Sequence, residues 1–197
     1  MKKILILFVF IVLASIQSNH AQTSEGDIAI GGGLAFGTGA LMEVPGPGGD
    51  LNNSIGIQLG GYYTISETIR AGLDFIYYLP ASESVEDFGV TIEEDLNVFE
   101  INANAHYIFV DESDFLVYGL GGLNITSVKT EVEAEDSEGL IEEGVDGIDA
   151  SEIGLNLGGG IESEIDFGIL YGEVKYANLG GDADQLVISA GLRFLLD

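Results

Sequence analysis

The side chains able to do chemistry in this 197-residue chain are nearly all carboxylates. Thirty-three Asp and Glu stand against six Lys and Arg, with two His and no Cys. Carboxylates bind hard cations, exchange protons, or neutralise buried bases. The densest run is "KTEVEAEDSEGLIEEGVDGIDASE", residues 129–152. There Glu131, Glu133, Glu135, Asp136, Glu138, Asp146 and Asp149 face the single base Lys129, a composition suited to weak gathering of Ca²⁺ or Mg²⁺. Glu83, Glu86, Asp87, Glu93 and Glu94 add to it from an earlier stretch. No EF-hand spacing occurs, so no tight dedicated site is expected; the plain alternative is a solvated acidic loop. Nucleophilic and transition-metal chemistry have little material, and no cofactor is implied. "GGGLAFG" (31–37) resembles a dinucleotide loop only in isolation, because it sits in an alternating segment with no helix after it.

The few bases are more informative. Lys2 and Lys3 precede an unbroken apolar run, Ile4 to Ala14, and "SNHAQ" supplies Ala21 before a cleavage point. That is the layout of a secretory signal peptide over residues 1–21, the run being shorter than the ~20 residues that span a bilayer as a helix. Residues 22–197 then form one domain holding four bases, Arg70, Lys129, Lys175 and Arg193, and all of the acids. Such a balance excludes nucleic acid as a partner, since that needs a basic footprint. Without cysteines, disulfides contribute nothing to stability.

What must position these groups is legible from periodicity. In "SIGIQLGGYYTI" (54–65), Ile55, Ile57, Leu59, Tyr63 and Ile65 share one parity, and Ser54, Gln58, Tyr62 and Thr64 the other. Alternation with period two marks a strand with one apolar face. It recurs in 27–37, 69–79, 98–109, 153–164, 168–178 and 185–196. Residues 115–128 are strand-like and glycine-rich, and their parity stays open. The pattern predicts eight strands of about 11–13 residues, roughly twice the usual soluble length. "SET" (66–68), "DESD" (111–114) and "DF" (166–167) make short turns. Residues 38–53, 80–95, 129–152 and 179–184 make the longer connections. Short turns at one rim and long loops at the other describe an all-β, eight-stranded antiparallel up-and-down transmembrane β-barrel following the signal peptide.

A soluble lipocalin-like barrel would turn the apolar face inward. Its water-facing side would carry many charges, whereas here the polar face is mostly Gly, Ser, Asn and Gln, as a crowded lumen requires. The apolar face also carries Tyr63, Tyr107, Phe109 and Phe194 near the short turns, and Tyr77, Phe99 and Tyr176 near the long loops. Two aromatic bands are what membrane interfaces select. Lys175, inside "YGEVKY", would cost about 2–4 kcal/mol facing lipid at mid-depth, so register turns it inward. Arg70 and Arg193 share the polar parity of their strands, among Asp74, Glu100, Glu162, Glu164 and Glu173. An ion-pair cluster is therefore expected in the lumen, centred on Lys175 with Glu173 and Glu100 as its partners.

In strand count, turn rhythm, the "YGEVKY" strand and the closing "LVISAGLRFLL", the chain resembles the small OmpA/OmpX-like outer-membrane β-barrel family over its whole length after residue 21. The resemblance implies Arg, Lys and Glu networks inside a narrow barrel, falling here on Arg70, Glu173, Lys175 and Arg193. It also implies residence in the outer membrane of a Gram-negative envelope. Partners would be outer-membrane lipid, lipopolysaccharide and the assembly machinery, with the barrel monomeric. Family members usually end the last strand on an aromatic; here Phe194 is followed by "LLD". Enzymes of this shape use an aspartate–histidine site at the long-loop rim or a His-x-Ser pair, whereas His106 lies near a short turn and is followed by "YI". No enzyme is expected. The expected role is structural or surface-interacting, with a plugged polar lumen; the alternatives are a narrow pore for ions or small solutes, or the soluble ligand-binding barrel.

Overall fold

The computed structural model describes residues 24–39, 43–45, 50–52, 54–87, 90–112, 115–136, 143–145, 149–179 and 184–196. The expected signal peptide, residues 1–21, lies outside them. The described residues form twelve strands: β1 (Ile28–Gly39), β2 (Glu43–Pro45), β3 (Asp50–Asn52), β4 (Ile55–Ser66), β5 (Ile69–Tyr78), β6 (Ala81–Asp87), β7 (Val90–Asp111), β8 (Leu116–Asp136), β9 (Glu143–Val145), β10 (Asp149–Ile165), β11 (Gly168–Leu179) and β12 (Gln185–Leu196). Eight of them, in the cyclic order β1-β4-β5-β7-β8-β10-β11-β12, close an antiparallel barrel; β7–β8 pairing and the β1–β12 seam leave no open edge in the wall.

Alternation decides which side faces where. Along β5, Arg70, Gly72, Asp74, Ile76 and Tyr78 are buried while Ile69, Ala71, Leu73, Phe75 and Tyr77 are exposed. The other barrel strands follow the same rule apart from local breaks at 126–128 and 177–178, so the outside is an apolar belt of Ile, Leu, Val, Phe and Tyr and most of the inside is polar. The segment of open parity resolves as Leu116, Tyr118, Leu120, Asn124 and Thr126 inward. The aromatic bands expected at the rims are exposed except for the half-buried Phe99, and Phe115 and Phe167 extend the band on the short-turn side.

Glycines let neighbouring strands approach closely at several places, two of which shape the wall. At the β1–β12 seam, a Cβ on Gly191 would stand 2.2 Å from the Gly32 carbonyl and 2.5 Å from the Gly33 Cα. On β10, a Cβ on Gly154 would stand 2.3 Å from the Cα of Asn178. Asn178 has φ 57°, a left-handed conformation that Asn tolerates, at a register shift between β10 and β11. The bulge turns both Ala177 and Asn178 inward, and Asn178 Nδ2 donates to Thr126 Oγ1 at 2.8 Å.

The wall is taller than the spacing predicts. β7, β8 and β10 run 22, 21 and 17 residues rather than 11–13. At ~3.3 Å per residue, β7 is roughly 70 Å long, far beyond the ~25 Å apolar band of a barrel. Much of the expected loops 80–95 and 129–152 is therefore strand, with β6 pairing the start of β7 and β9 pairing the end of β8. The acidic residues hid the alternation there: the register aligns Val85 with Ile92 and Ile92 with Ala134 in one row. In the rows beside it, Glu93 pairs with Glu133 and Asp95 with Glu131. Like charges directly opposite are unfavourable, so the pairing of these segments rests on the backbone ladder.

Candidate functional site

Inward-facing residues of seven of the eight wall strands build a polar network that fills the lumen in two tiers. In the tier toward the short turns, Arg70 from β5 holds Glu162 from β10 with both nitrogens: Nη1 donates to Oε2 at 2.9 Å and Nη2 to Oε1 at 2.5 Å. Arg193 from β12 pairs with the same Glu162 Oε1 and lies 3.6 Å from Glu173 Oε2. Glu162 thus bridges two guanidiniums. Tyr118 donates to Glu173 Oε2 at 2.7 Å and accepts from Arg193 Nη2 at 3.3 Å. The Arg193 guanidinium lies between the Tyr62 and Tyr171 rings, 4.0 and 4.3 Å from their centroids. Such stacking adds cation–π attraction to the ion pairs.

His106 belongs to this tier. Arg70 Nη2 donates to its Nδ1 at 3.0 Å, which puts the ring proton on Nε2. Its ring stacks on Tyr118 at 4.5 Å with planes 4° apart. Occupied at one nitrogen and stacked on one face, it braces Arg70 and offers a substrate no approach.

In the outer tier Lys175 from β11 pairs across the lumen with Asp74 from β5 at 3.3 Å. This corrects the expected partners Glu173 and Glu100. Parity establishes that these residues face inward, but the azimuth and height at which two walls meet come only from the closed barrel. Asp74 also accepts from Gln58, Asn102 and Asn104 at 3.2, 3.0 and 3.1 Å. Glu100 accepts from Tyr78 at 2.7 Å, Asn124 at 3.2 Å, Asn102 at 3.4 Å and from Gln185, and makes no direct ion pair among the described residues. Asn102, Asn104, Asn124 and Asn156 link the carboxylates through amide–amide bonds of 2.7 to 3.0 Å. Arg70, Asp74, Glu100, Glu162, Glu173, Lys175 and Arg193 are all at most 4% exposed. Glu164, on the same parity, is half-buried at the short-turn mouth and joins none of the ion pairs among the described residues.

An apolar layer caps the long-loop end of this network, and a smaller apolar cluster packs on the β7–β8 wall toward the short turns. Ala35, Ile76, Tyr78, Leu96, Val98, Val128, Ala177 and Val187 pack together above it, and Ile108, Leu116, Tyr118 and Leu120 below. Sequence parity placed Ile76 and Tyr78 on the inward face without showing that such residues converge in one layer. Tyr118 was hidden in the segment of open parity. Its phenol satisfies two buried charged groups, so Tyr118→Phe is expected to lower barrel stability by about 1–3 kcal/mol. Urea unfolding of the barrel in lipid vesicles measures this, and an unchanged midpoint would mean water replaces the hydroxyl.

Of the residues considered for cations, Glu138 and Asp146 lie outside the described residues. The backbone register of Glu133, Glu135 and Asp136 is described, but their side chains lie outside the description. Glu131 and Asp149 are exposed, and Asp149 is 3.9 Å from Lys129. At the short-turn rim a cleft of about 480 Å³ is lined by Ser24, Glu25, Glu67, Thr68, Ile108, Phe109 and Asp111. The Asp111 carboxyl there is held above the usual range by partial burial and by Glu112 and Glu67.

Comparison with known proteins agrees with this architecture. No curated protein matches the chain. Among solved structures it is similar to OprG of Pseudomonas aeruginosa, with 13% identity, 90% of this chain and 99% of that one covered, and TM-score 0.58. It is similar to Ail of Yersinia pestis in complex with the heparin analogue sucrose octasulfate: 19% identity, 86% and 99% covered, TM-score 0.51. The N-terminal β-barrel domain of Pseudomonas aeruginosa OprF matches with 12% identity, 87% and 100% covered, TM-score 0.50. At such identities the likeness is one of fold. A family model, the outer membrane protein beta-barrel domain, matches residues 6–194. With an apolar belt outside, a braced polar lumen inside and that match over nearly the whole chain, the protein belongs to the outer membrane protein beta-barrel domain family and resides in the outer membrane.

Proposed function

We propose that this barrel, delivered by a signal peptide over residues 1–21, is a rigid membrane anchor that presents an acidic sheet at the cell surface rather than a channel. The carrying observation is the lumen: its polar side chains are joined wall to wall and capped toward the long loops by an apolar layer drawn from six strands. An eight-stranded barrel has just enough interior for its side chains, and hydrophobic constrictions oppose ion passage by dewetting. Planar-bilayer recordings are expected to show no steady conductance. Large sustained openings across the population would establish the narrow-pore reading instead.

The surface role rests on the length and charge of β6 to β9. The Ail structure was solved with a sulfated heparin analogue. The projecting sheet here carries acidic rows and a single base, Lys129, so a polyanion is repelled. Its partners are cationic surfaces, or lipopolysaccharide bridged through Ca²⁺ or Mg²⁺ held weakly by Glu131, Glu133, Glu135, Asp136, Glu138, Asp146 and Asp149. The barrel works as a monomer inserted by the outer-membrane assembly machinery. Adhesion of folded vesicles to cationic and to sulfated surfaces tests the sign: preference for the sulfated surface in the absence of divalent ions would sink this role.

A further inference from the structure

Three of the four bases beyond residue 21, Arg70, Lys175 and Arg193, are buried in the lumen. The fourth, Lys129, lies on the outer wall with its side chain 53% exposed. The strand register fixes its height. Lys129 on β8 stands opposite Asn97 on β7 and Asp149 on β10. One row toward the membrane centre are Phe99, Ser127 and Ser151, with Tyr77 on β5 opposite Phe99. One row further in are Ile101, Ile125 and Ile153, all exposed on the apolar belt. Rows two residues apart are separated by roughly 7 Å along the strands. The one base outside the lumen therefore stands just beyond the aromatic band of the long-loop rim, at the depth of lipid headgroups.

A second donor stands beside it. The Tyr77 hydroxyl donates to Asn97 Oδ1 at 3.5 Å, which engages the amide oxygen and leaves Nδ2 to donate on the Lys129 side. Directly opposite residues hold their Cβ atoms about 5 Å apart, so one ligand can reach both donors. In the row beneath, Ser151 donates to Ser127 at 3.2 Å. Asp149 Oδ2 lies 3.9 Å from Lys129 Nζ, but both side chains are exposed, and such a pair contributes little. The next carboxylates on this face, Asp95 and Glu131, stand one row outward, away from the membrane. They repel an anion arriving from the water. An anion arriving along the wall from the lipid passes only the apolar and aromatic rows before it meets Lys129.

An ammonium and an amide donor at this depth match a phosphate that brings its own acyl chains. We propose that Lys129 and Asn97 Nδ2 bind the phosphate of an anionic lipid headgroup, with the acyl chains lying along Phe99, Ile101, Ile125 and Ile153. This contact needs no divalent ion, so it is distinct from any cation-bridged contact of the projecting sheet. It rests on the placement of the barrel in the membrane and not on the surface role.

The test follows amide chemical shifts of the folded barrel in phosphatidylcholine nanodiscs, with EDTA present, as phosphatidic acid replaces phosphatidylcholine. Saturable shifts are expected at Asn97, Ser127 and Lys129. Lys129→Gln should weaken the apparent affinity by about fivefold, the scale of one base near an anionic surface. Asp149→Asn should strengthen it, because the competing carboxylate is gone. Neither side chain enters the lumen network, so both variants are expected to fold. Shifts that Lys129→Gln retains in full, or that spread evenly around both rims, overturn the site, since they report only the altered surface charge. An unchanged or weakened affinity in Asp149→Asn overturns it as well, leaving Lys129 as a partner of that carboxylate alone. If inorganic phosphate produces the same saturation in pure phosphatidylcholine discs, the ligand is a soluble anion and the lipid assignment fails.

Discussion

Glu162→Gln is expected to lower the stability of the folded barrel by about 3–5 kcal/mol, the range for breaking a buried ion pair by removing one partner. Among the described residues Glu162 is the one carboxylate in ion-pair contact with Arg70, and Arg193 shares it. An amide in its place can accept through its oxygen, but its NH₂ must face guanidinium donors, setting donor against donor. Arg193 retains Glu173 at 3.6 Å, whereas Arg70 keeps His106 and two rings as contacts and no direct ion pair among the described residues. The whole tier should loosen, since His106 is oriented by Arg70. Urea unfolding in lipid vesicles reads the loss directly. A change below about 1 kcal/mol would mean that the lumen charges are screened by water, as exposed ion pairs are.

Lys175→Ala should cost a similar amount, toward the lower end of about 3–5 kcal/mol. Asp74 keeps three amide donors after the substitution, so its lone pairs stay satisfied while its charge does not. The lumen then holds four carboxylates against two guanidiniums. Pairing Lys175→Met with Asp74→Asn should recover most of the loss, because replacing both members of a buried ion pair is often close to neutral. A double-mutant cycle separates the pair from its neighbours. Additive losses from the two single variants would show that the 3.3 Å contact contributes no coupling.

Much of this fold was legible because a barrel wall obeys one local rule. Period-two alternation in "SIGIQLGGYYTI" or "IRAGLDFIYYL" states which residues share a face, and a polar face poor in charge marks that face as a lumen. Turn lengths gave the up-and-down order, and the cost of a lysine in lipid gave the direction of Lys175. The ends of the long strands were less legible. In β7 and β8 the acidic residues lie on both parities, so hydrophobic periodicity fades even though the hydrogen-bonded ladder continues from Asp111 and Leu116 to Val90 and Asp136.

By itself the sequence determined the strand faces, the membrane-facing side and the set of residues that enter the lumen, because each depends on neighbours one or two positions away. Only the tertiary structure decided which of them meet. Lys175 reaches Asp74 at a separation of 101 residues, and Arg70 reaches Glu162 across 92. Those distances are set by strand stagger, by the bulge at Asn178 and by the close approach of glycines at the seam, all properties of closure. The pairing of charges and the layer of Ile76, Tyr78, Leu96, Val98, Val128 and Val187 that seals them follow from the same cause: opposite walls share no local pattern and come into register only when the sheet closes on itself.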